Sequence, residues 1–184
     1  DDITGLARVF TGFHLDATGI ENRADVREDP AGYPELWRMP LRVYPSRHSD
    51  REKSFLGATI PPGTPGDESV RLALDAIFAH PNVAPFIGRQ LIQRFVTTAP
   101  DPAYVARVAA AFEAGTATLA DGSQVGSGSR GDLAATLAAV LFDDAARGPE
   151  GLADTSFGKV REPMLRYAAF ARAFIPEDRL TPRF

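Results

Sequence analysis

The sequence predicts a mainly α fold, a multi-helix orthogonal bundle into which one small β-hairpin is inserted. Apolar residues recur at helical spacing in several separate stretches, and residues that cap or break helices stand at the ends of these stretches. Only residues 41–44 and 54–60 have β-like composition, and a polar connection separates them. A lone hairpin is marginally stable in water, so we expect it to pack against the helices.

The stretch from His80 to Pro100 is predicted to contain the central helix of the core. Asn82 stands where a side-chain cap is expected, and Pro85 falls in the first turn, where its missing N–H costs little. Arg94 lies at the edge of a broad apolar arc, so we expect it in a region where water is scarce. The arc consists of Val83, Ile87, Gly88, Leu91, Ile92, Phe95 and Val96.

Caps and breakers define the other elements in chain order. Before the central helix, the sequence predicts a helix over 2–12, a loop over 14–37 with one helical turn near 24–28, the hairpin, a breaker over 61–66, and a helix over 67–79 capped by Asp67. After it, the sequence predicts a helix over 102–113 capped by Asp101, a flexible loop over 115–131, a helix over 132–147 capped by Asp132, and a helix over 159–174.

Length and composition indicate a single domain or a fragment of a larger domain. The chain has 184 residues, of which 44% are apolar and 24% charged, which is ordinary for a globular protein. We divide it into a helix in 1–13, a loop and hairpin region in 14–66, a helical core in 67–175 and a tail in 176–184. Because the chain opens at Asp1 and enters a helical pattern almost at once, we expect a fragment or a processed product.

Charge and residue usage exclude several classes of function. A net charge of −4 without a basic patch argues against a nucleic-acid partner. No apolar run approaches the ~20 residues of a membrane-spanning helix. The absence of cysteine excludes disulfides, thiolate catalysis and cysteine-ligated metal. No nucleophile elbow, phosphate loop or dinucleotide fingerprint is present, and we predict neither a cofactor nor a metal.

His48, Asp50 and Glu52 are the candidate catalytic residues, because they share one polar loop. One interpretation is a metal-ligand pair or a histidine base with a carboxylate that orients it. The other is a solvated hairpin tip, since no third ligand stands at a readable spacing. His14 could join this group only through the fold, and His80 is interpreted as a cap at the carbonyl end of a helix.

Arg94 and Glu162 are predicted to form a structural ion pair between two helices. A buried arginine needs a partner, and Glu162 opens a helix that we expect to pack nearby. The alternative is a ligand site for an anion or carboxylate, built from Arg89, Arg94 and Arg161 through their guanidinium groups. The tripeptide Arg130-Gly131-Asp132 resembles an adhesion sequence, but Asp132 is already explained as a helix cap.

Several linked motifs resemble a known bacterial family, and they occur in the family's order. They lie in residues 6–12, 53–57, 80–96, 102–108, 126–133 and 157–163. The chain therefore resembles the family catalogued as domain of unknown function 1800. The resemblance implies a carboxy-terminal portion whose missing amino-terminal half is a partner, and a periplasmic or secreted location. It supplies no catalytic residues.

Two functions from different classes follow from these observations. The first is a helical scaffold or interaction portion of an exported bacterial protein, with a protein partner. The alternative is part of an extracellular or periplasmic hydrolase, whose site the missing amino-terminal half completes. The sequence does not decide whether the protein is an enzyme.

Overall fold

The structure is a computed structural model that describes residues 1–16, 32, 38–155, 157–159 and 162–174. It is mainly α-helical with small two-stranded antiparallel sheets, which confirms the predicted fold class. The chain divides into two compact units, Asp1–His80 and Pro81–Phe184. The turn predicted near residues 24–28 and the tail over 176–184 lie outside the described residues.

The described residues of the first unit form two α-helices, a 3₁₀ turn and two short antiparallel sheets. In chain order, its elements are α1 (Asp2–Val9), β1 (Phe13–His14), β2 (Arg42–Val43), a 3₁₀ turn (Pro45–Arg47), β3 (Lys53–Phe55), β4 (Ala58–Ile60) and α2 (Gly66–Ala79). Its core consists of Val9, Phe55, Ile60 and Ala73. A side chain at Gly5 could not fit, because its Cβ would stand 1.9 Å from the carbonyl oxygen of Ser54. Glycine therefore allows α1 to lie directly on β3.

The strands pair differently from the predicted hairpin. The run over 54–60 folds back on itself, so that β3 pairs with β4, while β2 pairs with β1. The cause is the turn between β3 and β4, where Leu56 and Gly57 both have positive φ, 47° and 78°. Two consecutive positive φ angles are typical of the tight turns that join hairpin strands. The described residues also contain a third pairing, β5 (Ala117–Thr118) with β6 (Gln124–Val125), inside the predicted flexible loop.

The second unit is built mainly on three helices, α3 (Val83–Phe95), α4 (Pro102–Ala114) and α5 (Leu133–Leu141). The described residues after α5 form three further helices, α6 (Asp144–Arg147), α7 (Glu150–Ala153) and α8 (Pro163–Phe174). The predicted caps at Asp101 and Asp132 are confirmed, because their side chains accept the backbone N–H groups of Ala103 and Ala135. Gly115 ends α4 in the left-handed conformation, as glycine at this position commonly does.

Several predicted helix ends and caps differ from the structure: α1 ends at Val9 rather than at residue 12, and α8 begins at Pro163 rather than at residue 159. Helix α2 begins at Gly66, with Pro65 rather than Asp67 at its cap position. Asn82 occupies the cap position of α3, but its side chain makes no capping hydrogen bond. The predicted helix over 132–147 is interrupted because Asp143 caps a new helix through the N–H of Ala145.

The buried face of α3 differs from the predicted apolar arc. Gly88 and Ile92 are buried as predicted, but they share that face with Ala84, and Phe95 is exposed. The face is narrow because α4 lies close: a Cβ on Gly88 would stand 3.1 Å from Cγ1 of Val108. Arg94 is consequently exposed, and the prediction that it lies where water is scarce is wrong.

Tyr104 connects α4 to the carbonyl end of α5. Its side chain is only 1% exposed, and its hydroxyl donates a hydrogen bond to the carbonyl oxygen of Val140. Val140 lies in the last turn of α5, where carbonyl groups have no partner within the helix. Burial, followed by the negative charge of Asp143, raises the pKa of Tyr104 to about 12.

We predict that Tyr104→Phe lowers the free energy of unfolding by about 1–3 kcal/mol, because it leaves a buried carbonyl without its donor. Chemical denaturation measures this change. Tyr167→Phe is the matched control, since Tyr167 is exposed and its replacement should have almost no effect. An equal effect of the two replacements would contradict the assigned hydrogen bond.

The same replacement predicts a pH dependence. The pKa of Tyr104 is about 12 in the folded chain, against its ordinary value of 10.0, so only the unfolded chain loses this proton between the two values. The stabilisation is therefore fully present below pH 10.0 and is lost as the pH rises toward about 12. We expect the stability difference between the parent and Tyr104→Phe to shrink over this interval, and a constant difference would contradict the raised pKa.

Candidate functional site

His48 joins three segments of the first unit. Its Nδ1 lies 2.9 Å from the carbonyl oxygen of Thr11, and its Nε2 lies 3.4 Å from Oγ of Ser69 in α2. Because a carbonyl only accepts hydrogen bonds, Nδ1 carries the proton. Ser49 donates its backbone N–H to the hydroxyl of Thr11, at 2.8 Å, and strengthens the same junction. Both ring nitrogens therefore face groups of the protein itself.

His48 and Asp50 line one cleft of about 550 Å³ in the first unit. Asp67, in the first turn of α2, is a third ionisable residue of its lining. Glycine at position 66 permits the close approach of α2, since a Cβ there would stand 2.7 Å from Cγ1 of Val43. The apolar walls of the cleft include Val43, Pro45 and Pro65. We call this feature the His48 cleft.

The third candidate catalytic residue lies elsewhere. Glu52 lines a different cleft, together with Asp1, Arg8 and Arg51, and its backbone carbonyl accepts a hydrogen bond from Arg8. His14 lies in β1, with its ring 6.1 Å from that of Tyr44. His80 occupies the cap position of α2, where its backbone N–H bonds to the carbonyl of Ile77. Among the described residues, no group of three His, Cys, Asp or Glu could hold a metal ion.

Ser69 is the residue of this region that sequence reasoning missed. Its side chain is fully buried, at 0% exposure, between Nε2 of His48 and the carbonyl oxygen of Thr64. A serine hydroxyl that no substrate can reach is not an available nucleophile. The signal for it was present, because Ser69 and Ala73 are four residues apart and share the buried face of α2.

We predict that His48→Ala lowers the free energy of unfolding by about 1–3 kcal/mol, because it removes the hydrogen bonds that join His48 to Thr11 and Ser69. His48→Asn should recover part of the loss, since its amide can donate to the carbonyl of Thr11. Denaturation followed by circular dichroism measures both variants. Unchanged stability of His48→Ala would contradict the structural role.

The candidate arginine site is not assembled in the described part of the chain. Arg89 and Arg94 are five residues apart on α3, so their side chains leave the helix about 140° apart, and Arg161 lies outside the described residues. Nη1 of Arg94 stands 3.7 Å from Oε1 of Glu162, and both side chains are 69% exposed. The large energetic penalty expected for a buried pair therefore does not apply to Arg94 and Glu162.

Arg107 makes the better-defined ion pair of the second unit. Its guanidinium donates to both carboxylate oxygens of Asp143, at 2.7 and 2.8 Å. The Asp143 side chain is only 9% exposed, and the hydrogen bonds from Arg107 hold the pKa of its carboxyl below the ordinary value. Because Asp143 also caps α6, this pair fixes the break between α5 and α6.

These two arginines provide a paired prediction. Arg94→Met should change the free energy of unfolding by less than about 1 kcal/mol, because exposed ion pairs contribute little. Arg107→Met should cost about 1–3 kcal/mol, since it leaves the largely buried carboxylate of Asp143 without its main donor. Thermal or chemical unfolding of both variants decides, and a larger loss for Arg94→Met would contradict the two placements.

The adhesion-like tripeptide is not available for recognition. One carboxylate oxygen of Asp132 accepts the N–H of Ala135 and the other accepts the N–H of Ser127, each at 2.9 Å. These hydrogen bonds lower the pKa of Asp132 to about 2. Both oxygens are therefore committed to the start of α5.

Helix α8 carries the most exposed apolar surface of the described chain. Tyr167, Phe170 and Phe174 recur at helical spacing, and Phe174 is 73% exposed. The rings of Phe170 and Phe174 contact each other in a tilted arrangement, with centroids 4.8 Å apart and planes at 38°. Of the described residues in this helix, only Ala171 is buried. We call Tyr167, Phe170 and Phe174 the aromatic face of α8.

These features define a mainly helical protein with a cleft of small-ligand size, an exposed aromatic helix, and no assembled catalytic group in the part that the structure describes. The chain belongs to the family described as "Protein of unknown function (DUF1800)", whose model matches residues 1–183. This finding confirms the resemblance predicted from the linked motifs. No curated protein and no solved structure gives a significant match. No helix among the described residues has the length and apolar character needed to cross a membrane.

Proposed function

We propose that the chain is a helical interaction scaffold, and that the aromatic face of α8 is its docking surface. The supporting observation is the exposure of Tyr167, Phe170 and Phe174 on a helix that buries only one described residue. Exposed apolar patches of this kind commonly mark interaction sites, because leaving aromatic rings in water is unfavourable.

The proposed partner is the amino-terminal half of a longer protein, as the family resemblance implies. Helix α8 carries Arg166 and Arg172 and has no acidic residue between Pro163 and Phe174. A complementary surface is therefore an apolar groove with an acidic rim, into which an amphipathic helix lays its apolar face. Its proposed location, periplasmic or secreted, is supported by the resemblance alone.

The geometry gives less support to the hydrolase alternative. The two ring nitrogens of His48 face Thr11 and Ser69, so neither is directed to a substrate in the cleft. Glu52 lines a separate cleft and cannot assist Asp50 there. A general base must stand within hydrogen-bond reach of the proton it removes, and the imidazole of His48 already bonds to Thr11 and Ser69.

Hydrogen exchange tests the docking proposal. The chain is expressed alone and together with the amino-terminal half of its gene product, and exchange of the α8 amides is compared. We expect the partner to slow this exchange by at least about tenfold, because binding must be lost before the helix opens. Unchanged exchange would contradict the proposal.

Paired variants make the test specific. Replacing both Phe170 and Phe174 by Ser should remove the protection, because it removes the docking rings. Leu74→Ser, on α2, is the matched control: Leu74 is an exposed apolar residue outside the aromatic face, and its replacement should preserve the protection. Equal loss in both variants would show that the protection does not depend on the aromatic face.

A further inference from the structure

The His48 cleft has the size and composition of a ligand-binding pocket. Its volume of about 550 Å³ lies within the range of small-molecule sites, roughly 300–1,000 Å³. Its walls are largely apolar, and its ionisable lining residues are His48, Asp50 and Asp67. No lysine or arginine belongs to the lining formed by the described residues. The cleft therefore presents carboxylate charge beside apolar walls.

Hydrogen bonds hold the cleft in shape before any ligand arrives. The carbonyl of Asp50 accepts the N–H of Gly63 at 2.8 Å, which ties the His48 segment to the opposite wall. The hydroxyl of Thr64 donates to the carbonyl of Pro61, also at 2.8 Å, and braces the proline-rich segment. A preformed pocket binds more tightly, because less conformational freedom is lost on binding.

The two carboxylates differ in their surroundings. Lys53 is fully buried, and the negative charge of Asp50 acts on its ammonium group, opposing the effect of burial, which lowers the pKa of Lys53. The ammonium group of Lys53 therefore offsets part of the Asp50 charge. Asp67 makes no ion pair with any described residue and lies exposed at the start of α2. We expect Asp67 to contribute more to binding a cation.

We propose that the His48 cleft binds a small organic cation, an ammonium group attached to a short apolar body. The carboxylates of Asp67 and Asp50 attract the cationic head, and Val43, Pro45 and Pro65 contact the apolar body. The cleft does not gather three ligating side chains as a bare metal ion requires, which favours a larger polyatomic cation. His48 positions the walls through Thr11 and Ser69 and stays out of direct recognition.

Nuclear magnetic resonance with three matched probes tests the proposal on the full chain. Benzylamine, which is cationic at neutral pH, is titrated beside benzyl alcohol and benzoate, and backbone amide shifts are recorded. We expect saturable benzylamine shifts over residues 63–67, with a dissociation constant on the order of 1 mM. Benzyl alcohol should bind about fivefold more weakly, and benzoate should not bind.

Three variants identify the carboxylates responsible. Asp67→Asn should weaken benzylamine binding about fivefold, because it removes one partly exposed attractive charge, and Asp50→Asn should weaken it less. Asp75→Asn is the control: it removes the same charge from α2, but Asp75 pairs with Arg71 and does not line the cleft. Its effect should stay within about twofold. The same spectra report whether each variant is folded.

Three results would overturn the proposal. Benzyl alcohol could bind as well as benzylamine, Asp67→Asn could leave binding unchanged, or the benzylamine shifts could be unsaturable and spread over the surface. The first two would show that the charge of the cleft does not select the ligand. The third would show that the cleft is not a binding site for this class of cation.

Discussion

The close approach of helices through alanine and glycine is the constraint on which the second unit depends. Helix α3 presents Ala84 and Gly88 to its neighbours, and α5 presents Ala135 and Ala138. At Gly88 even one added carbon would crowd Val108. The buried core of this unit also holds Ile92, Val108 and Val140. Phe86, Phe95 and Phe142 lie at the surface. The close approach of these helices is thus accompanied by both a small core and an exposed apolar exterior.

A core of few large residues makes individual polar contacts important. Each buried alanine removes little apolar surface from water, so its contribution to stability is small. The unit compensates with hydrogen bonds that connect its helices, from Tyr104 to Val140 and from Arg107 to Asp143. The first unit also combines a small core with hydrogen bonds between segments, since it has a core of four buried residues and His48 joins Thr11 to Ser69. His48, which was a catalytic candidate, therefore serves to hold two segments of the chain together through hydrogen bonds.

Capping and helix-breaking residues predicted the helices well from the sequence. The buried faces and the strand pairs became known only from the structure. The caps at Asp101 and Asp132 and the break after Ile60 follow from the nearest residues alone, and all three are found, although the break ends one residue earlier than predicted, at Pro65. The buried face of α3 could not be predicted, because leucine and phenylalanine dominate a hydrophobic pattern and conceal the alanine–glycine face. The pairing of β1 with β2 is similarly inaccessible, since about thirty residues separate Phe13 from Val43.

The same division applies to the candidate site. His48 and Asp50 were predicted to belong together, and they share one cleft. Asp67 and Ser69 enter that region from α2, and no pattern in residues 46–52 points to them. Glu52 is directed to another cleft because the chain changes direction between Asp50 and β3. Proximity along a loop therefore predicted two residues of the cleft and misplaced the third.

Side-chain oxidation by hydroxyl radicals tests the central claim, that the close-packed helices of the second unit bury Tyr104 and Phe112 while the aromatic face of α8 remains outside. Residues of one type are compared, so that intrinsic reactivity cancels. The account predicts that Tyr167 reacts much faster than Tyr104, and that Phe170 and Phe174 react much faster than Phe112. Equal protection of the residues in each pair, measured on the isolated chain, would contradict it.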